Sequence, residues 1–159
     1  MLRSSSFLAL SLLLVITSLS SCNKKCVISK ETVDSGVIIK NVIFYPNSGN
    51  MTQSMSSASY LINANSPYAD RIQVGINGAG KAPVDYSQYN VLCLPVKTKC
   101  NAAFDRKVTI DAASQNVTYT IIATQCANCD QEWYTENYVL VPTFPASYSV
   151  TYDVQYVNK

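Results

Sequence analysis

The amino-acid sequence predicts an all-β domain, built as a two-sheet antiparallel sandwich of about seven or eight strands. Two observations carry this expectation. From Val37 onward, β-branched and aromatic residues gather into short runs, separated by turns rich in Pro, Gly, Asn and Ser. In the same region no stretch keeps its apolar residues at the spacing of an amphipathic helix.

The first run, Val37 to Tyr45, carries apolar residues on both alternating faces and stops at Pro46, so a centrally covered strand is expected. Asn47 to Ser59 reads as a loop around Gly49, with a short strand at Tyr60 to Ile62. In Arg71 to Ile76 the residues Ile72, Val74 and Ile76 face one way, and Asn77-Gly-Ala-Gly80 supplies a turn. Asn90 to Val96 forms a strand whose Pro95 suggests an edge or a strand end, because proline cannot donate to a ladder. Phe104 to Asp111 and Val117 to Thr124 form a hairpin around Ala112 to Asn116. Tyr138 to Val141 is short and is followed by Pro142 and Pro145. The last strand alternates most cleanly, with Tyr148, Val150, Tyr152, Val154 and Tyr156 on one face. That tyrosine stripe reads as core, its hydroxyls reaching the rim. An immunoglobulin-like sandwich fits the strand spacing, with a barrel as the alternative. The Cys…Trp…Cys order of antibody-type domains is missing, because Trp133 follows every cysteine.

The N-terminal segment has a different character. Arg3 gives a positive start and Phe7 to Ile16 an apolar stretch too short to span a bilayer comfortably. Mostly small or polar residues follow to Ser21. Leu19-Ser20-Ser21-Cys22 resembles the lipobox of bacterial lipoproteins, and the chain looks like a small Bacteroidota lipoprotein. The resemblance covers only the first 22 residues; no family motif is recognised in the domain. It implies cleavage before Cys22 and lipidation of that cysteine, with several acyl chains giving a stable anchor where one would not. The expected organisation is a signal peptide at 1–21, a flexible tether at 22–36 and the β-sandwich at 37–159. Asn23-Lys24-Lys25 lacks the aspartate tied to inner-membrane retention in enterobacterial lipoproteins, so the resemblance implies the outer membrane of the cell envelope. It also lacks the acidic run tied to surface export in Bacteroidota lipoproteins, and the leaflet stays open. Secretion of a free chain is the alternative localisation.

The six cysteines are Cys22, Cys26, Cys93, Cys100, Cys126 and Cys129. With Cys22 lipidated the remaining count is odd, and Cys26, lying in the tether, is expected to be the unpaired one. Cys93, Cys100, Cys126 and Cys129 are the disulfide candidates, in three connectivities that spacing leaves open. The same four could ligate zinc, but the arm from Cys93 to Cys100 is long for a zinc knuckle and the compartment oxidises thiols. A redox role for Cys126-Ala-Asn-Cys129 would need a helix N-terminus behind it to lower a thiol pKa. Asp130 to Asn137 offers at best one or two helical turns.

Composition narrows the function classes. Histidine is absent, which removes Ser-His-Asp and Cys-His catalysis and histidine-containing zinc sites. Once Arg3 leaves with the signal, 11 of 12 basic side chains face 10 acidic ones, so no nucleic-acid partner is expected. The richest chemistry lies at Asp130, Glu132, Trp133 and Tyr134, with Glu136 beside them. Rings that stack on a pyranose and hard carboxylate oxygens that suit calcium make this a candidate contact for a sugar or calcium, although the spacing matches no EF-hand loop. A solvated loop with Trp133 capping the core is the plainer reading. Asn50 and Asn116 begin N-glycosylation sequons, which matter only in a eukaryotic secreted protein.

The expected function is that of a non-enzymatic envelope lipoprotein, acting in adhesion, glycan binding or envelope assembly, without cofactor or metal. Its partners would be the membrane, through the anchor, and a glycan or envelope protein. A secreted disulfide-bonded glycoprotein and a periplasmic redox or metal-binding module are the alternatives.

Overall fold

The computed structural model describes residues 26–28, 30–46, 58–99, 101–128 and 130–159. Cys22, Cys100, Cys129 and Asn50 lie outside them. The described chain is all-β, and its strands pack in a sandwich-like arrangement. In chain order they are β1 (Val33–Gly36), β2 (Val42–Pro46), β3 (Tyr60–Ile62), β4 (Ile72–Ile76) and β5 (Ala82–Pro83). There follow β6 (Tyr89–Lys99), β7 (Ala102–Asp111), β8 (Asn116–Gln125), β9 (Glu132–Pro142) and β10 (Ser149–Asn158). One 3₁₀ turn at Ala69–Arg71 is the helical element among the described residues.

Three sheets form, in the orders β1-β7-β8-β10, β3-β6-β9 and β2-β4-β5. The β3-β6-β9 sheet lies in the middle, because its two faces feed two separate cores. Leu92, Leu94, Val96, Val139 and Val141 turn toward Val108, Val117, Tyr119 and Ile121 of the β1-β7-β8-β10 sheet. Val91, Cys93, Tyr138 and Leu140 turn the other way, toward Ile72 and Val74 of β4. This double burial explains the unbroken apolar run Val91 to Leu94, since a strand covered on both faces has no polar side to alternate with. Pro95 fits the pairing. β3 covers β6 only from Val91 to Cys93, so the N–H that proline lacks would have faced no partner on that side.

The β7–β8 hairpin forms as expected, antiparallel from Ala102↔Gln125 to Asp111↔Asn116. Asp111 closes its turn, accepting hydrogen bonds from the Ala113 and Ser114 N–H groups and the Ser114 hydroxyl. β10 runs parallel to β8 from Ser149↔Asn116 to Asn158↔Gln125, a pairing that an antiparallel expectation did not include. Its tyrosines divide. Tyr148 and Tyr152 pack against the core, while Tyr156 stays exposed and donates a hydrogen bond to the Lys97 carbonyl at 3.0 Å.

Three expectations need correction. The stretch 22–36 does not end as a free tether: β1 runs parallel to β7, and Arg106 grips Asp34 through two nitrogens at 2.7 and 2.8 Å. Arg106 also donates to the Tyr138 carbonyl at 3.0 Å, tying two sheets together. The single strand expected over Val37 to Tyr45 is interrupted. Gly36 (φ 73°) and Asn41 (φ 56°) take left-handed backbone conformations, and the chain between them crosses from sheet to sheet. On the way the Val37 N–H bonds the Val108 carbonyl and the Ile39 N–H bonds the Leu140 carbonyl. Finally, Glu132 to Asn137 is neither loop nor helix but the first half of β9, paired with β6 down to Lys99↔Glu132.

Candidate functional site

The disulfide joins Cys26 to Cys126 across 100 residues. Cys26, expected to be the unpaired thiol, is therefore bonded, and the start of the described chain folds back onto the end of β8. Cys93, expected in a disulfide, is instead a free buried thiol. The cause is geometric: β6 aims Cys93 into the inner core between Tyr60 and Tyr138, its partners on neighbouring strands. Burial, with a smaller contribution from the Glu136 charge, pushes this thiol up to about 12. A thiol so protonated is a poor nucleophile and a poor metal ligand at neutral pH.

The same placements bear on the redox and zinc alternatives. Cys126 is committed to Cys26, and the next element in the chain is the strand β9, which brings no helix dipole to activate sulfur. Among the described residues no group of three or more Cys, Asp or Glu side chains is placed to hold a metal ion. Asn116, the described sequon asparagine, has its side chain engaged by Thr118, Ser149 and Thr151.

An open groove of about 530 Å³ is lined by Phe44, Pro46, Pro95, Tyr134, Thr135, Glu136 and Tyr138. Its origin lies in strand lengths. β6 and β9 have 11 residues each, whereas β2 and β4 of the β2-β4-β5 sheet have 5. Among the described residues the middle sheet therefore runs on beyond its cover, leaving a step. Alternation along β9 brings Tyr134, Glu136 and Tyr138 to the groove face, and β2 contributes Phe44 and Pro46. Phe44 stacks on Tyr138 with ring centroids 5.7 Å apart, so one wall of the groove is aromatic and rigid.

Glu136 accepts a hydrogen bond from the Tyr138 hydroxyl at 2.8 Å, which fixes the carboxylate and leaves it capacity for further donors. Burial foremost, and the neighbouring Cys93 and Glu136, raise the Tyr138 phenol well above its ordinary value, so it remains a neutral donor. Tyr134 is 58% exposed, with the Lys97 ammonium 5.8 Å above its ring. Lys97 also pairs with Glu132 at 2.6 Å, and that bond raises the lysine pKa.

Of the four residues expected at a ligand contact, the structure brings only Tyr134 into the groove. Glu132 is held by Lys97. Asp130 is exposed ahead of β9, and Trp133, 57% exposed, points to the opposite face of the strand. Phe44, Pro46, Pro95 and Tyr138 are not legible as site residues in the sequence, because they come from separate strands whose register no local pattern specifies. The apolar residues on both faces of β2 are the one available hint, since a strand with aromatics at Phe44 and Tyr45 must expose or cover both.

Comparison with known proteins returns nothing: no protein-family model, curated protein or solved structure matches the chain.

Proposed function

We propose that this chain is a non-enzymatic lipoprotein of the cell envelope whose β-sandwich domain binds a glycan in the groove between Phe44 and Tyr134. Its roles would lie in adhesion or envelope assembly. The observation that carries the reading is the groove's chemistry: three aromatic rings, two prolines and the single hydrogen-bonded carboxylate of Glu136. Aromatic faces suit the C–H face of a pyranose, and one carboxylate suits its hydroxyls. Glycoside hydrolysis would call for a second acid across the cleft, and Glu136 is the one acid lining it among the described residues. The anchor at Cys22 rests on the lipobox-type sequence Leu19-Ser20-Ser21-Cys22. The expected location is the outer membrane.

Two measurements test this. Intact mass of the membrane-extracted protein should show an N-terminus at Cys22 carrying a lipid increment; that terminus without the increment refutes the anchor. A glycan array should return hits that weaken at least about tenfold with Tyr134→Ala, the loss expected when a stacking ring is removed. Hits unchanged by both Tyr134→Ala and Glu136→Gln refute the groove as the binding site.

A further inference from the structure

We propose that the end of the sandwich carrying Trp133, Tyr156 and Val157 rests on the lipid bilayer, oriented there by the Cys26–Cys126 disulfide. This orientation rests on the anchor at Cys22 and adds which face of the domain meets the membrane.

Cys22 and Cys26 are separated by four residue steps, which span at most roughly 14 Å when fully extended. The disulfide pins Cys26 to Cys126, immediately after β8. A ten-residue strand such as β8 is about 33 Å long, so the opposite end of the domain lies far beyond the tether's reach. A lipid on Cys22 thus brings the Cys126 end, and not the Asp111–Asn116 end, close to the surface.

What that end displays fits an interface. Exposed large apolar residues gather there: Val27 beside the disulfide, Trp133, Tyr156 and Val157. The strand pairings place them at one end of the sandwich, with Val157 on the opposite face of β10 from Tyr156. Trp133 pairs with Thr98, the Tyr156 hydroxyl donates to the carbonyl of Lys97, and Asn158 pairs with Gln125, the residue before Cys126. The Lys159 N–H bonds the Gln125 carbonyl, and the Ala127 N–H bonds the Lys159 carbonyl, closing the rim around the disulfide. Trp and Tyr rings favour the headgroup level of a bilayer, where one edge is apolar and the other wet. Lys99 and Lys159 sit on the same rim, suited to lipid phosphates. The nearby Glu132 carboxylate is neutralised by Lys97.

The chain's single tryptophan makes the test direct. The full lipidated protein is reconstituted in phosphatidylcholine/phosphatidylglycerol vesicles containing lipids brominated near the headgroup end of the acyl chain. Trp133 emission should shift to the blue relative to the unlipidated Cys22→Ser chain in buffer, and most of it should be lost to bromine quenching. A second probe, Trp133→Phe with Ala113→Trp, moves the indole to the turn at the far end of the β7–β8 ladder and should escape quenching. A lipidated protein whose Trp133 is unquenched, or whose relocated indole in the Ala113→Trp variant is quenched as strongly, overturns the orientation while leaving the anchor intact. A protein whose intact mass lacks lipid overturns the anchor itself, and this orientation with it.

Discussion

Replacing both partners of the Cys26–Cys126 disulfide with serine is the most informative perturbation of this fold. The bond closes a loop of 100 residues that contains β1 to β8. In the chain-entropy description, releasing a closed loop of that length costs about 4.7 kcal/mol, and native disulfides typically return about 2–5 kcal/mol. The structure favours the lower half of that range. Residues 26–28 and 30–32 form no strand, so once released they can fray locally without opening a sheet. β1 behind them keeps its ladder to β7 and the Arg106–Asp34 pair. A loss of about 2–3 kcal/mol is therefore expected for Cys26→Ser/Cys126→Ser. Urea denaturation followed by far-ultraviolet circular dichroism measures it. The midpoint should fall and the m-value should rise, because the unfolded chain without its crosslink exposes more surface. A loss below about 0.5 kcal/mol with an unchanged m-value would refute the reasoning, since the bond would then constrain neither the unfolded chain nor the folded one.

Further outcomes follow from single contacts and from buried titratable groups. Gly36→Ala should cost more than about 2 kcal/mol in the same assay, because a Cβ there would stand 2.0 Å from the Val108 carbonyl oxygen on a backbone with φ 73°. A near-neutral result would mean that β1 does not sit in this register. Arg106→Ala leaves Asp34 and the Tyr138 carbonyl without their partner, and should cost about 2–4 kcal/mol, read as a lowered urea midpoint. Asp34→Asn should cost less, since the neutral amide still accepts. Cys93 should resist alkylation in the native protein and react once the chain is unfolded; native reactivity would contradict its burial. Its thiol is raised from 9.0 to about 12, so above pH 9.0 the folded state holds a proton that the unfolded state has released. The resulting stability is fully present below pH 9.0 and is lost as pH climbs toward about 12. Tyr119, Tyr138 and Tyr152 are raised as well, chiefly by burial, and act in the same direction. Alkaline titration should show tyrosinate absorbance from these buried rings appearing together with unfolding rather than before it.

Much of the fold can be read locally, and the exceptions have a common cause. The β7–β8 hairpin is visible because its turn and both alternating arms lie within 24 consecutive residues, from Ala102 to Gln125. β10 is visible because a half-buried strand must alternate. β2 reads locally as part of a longer strand, because the break at Gly36 to Asn41 is imposed by carbonyls of β7 and β9, distant in the chain. The early residues of β9 look polar and loop-like, and they become a strand because β6 is long enough to pair with them. The groove is legible only in part: Tyr134 and Glu136 stand out as aromatic and acid, whereas Phe44 and Tyr138 join them through packing. Trp133 looks like their companion in the sequence, yet one step along a strand reverses a side chain and carries it to the other face.

The sequence by itself determined the all-β class, the positions of most strands and the absence of histidine chemistry, because periodicity, turn residues and composition are properties of neighbouring residues. It also pointed to a lipid on Cys22. Only the tertiary structure decided which cysteines meet, that three sheets share two cores, and that β1 and β10 pair in parallel. Those outcomes depend on register and on which faces become buried together, quantities set by the whole chain at once. Cys26 is the clearest instance. Its neighbours mark it as tether, and a partner 100 residues away ties it to the end of β8.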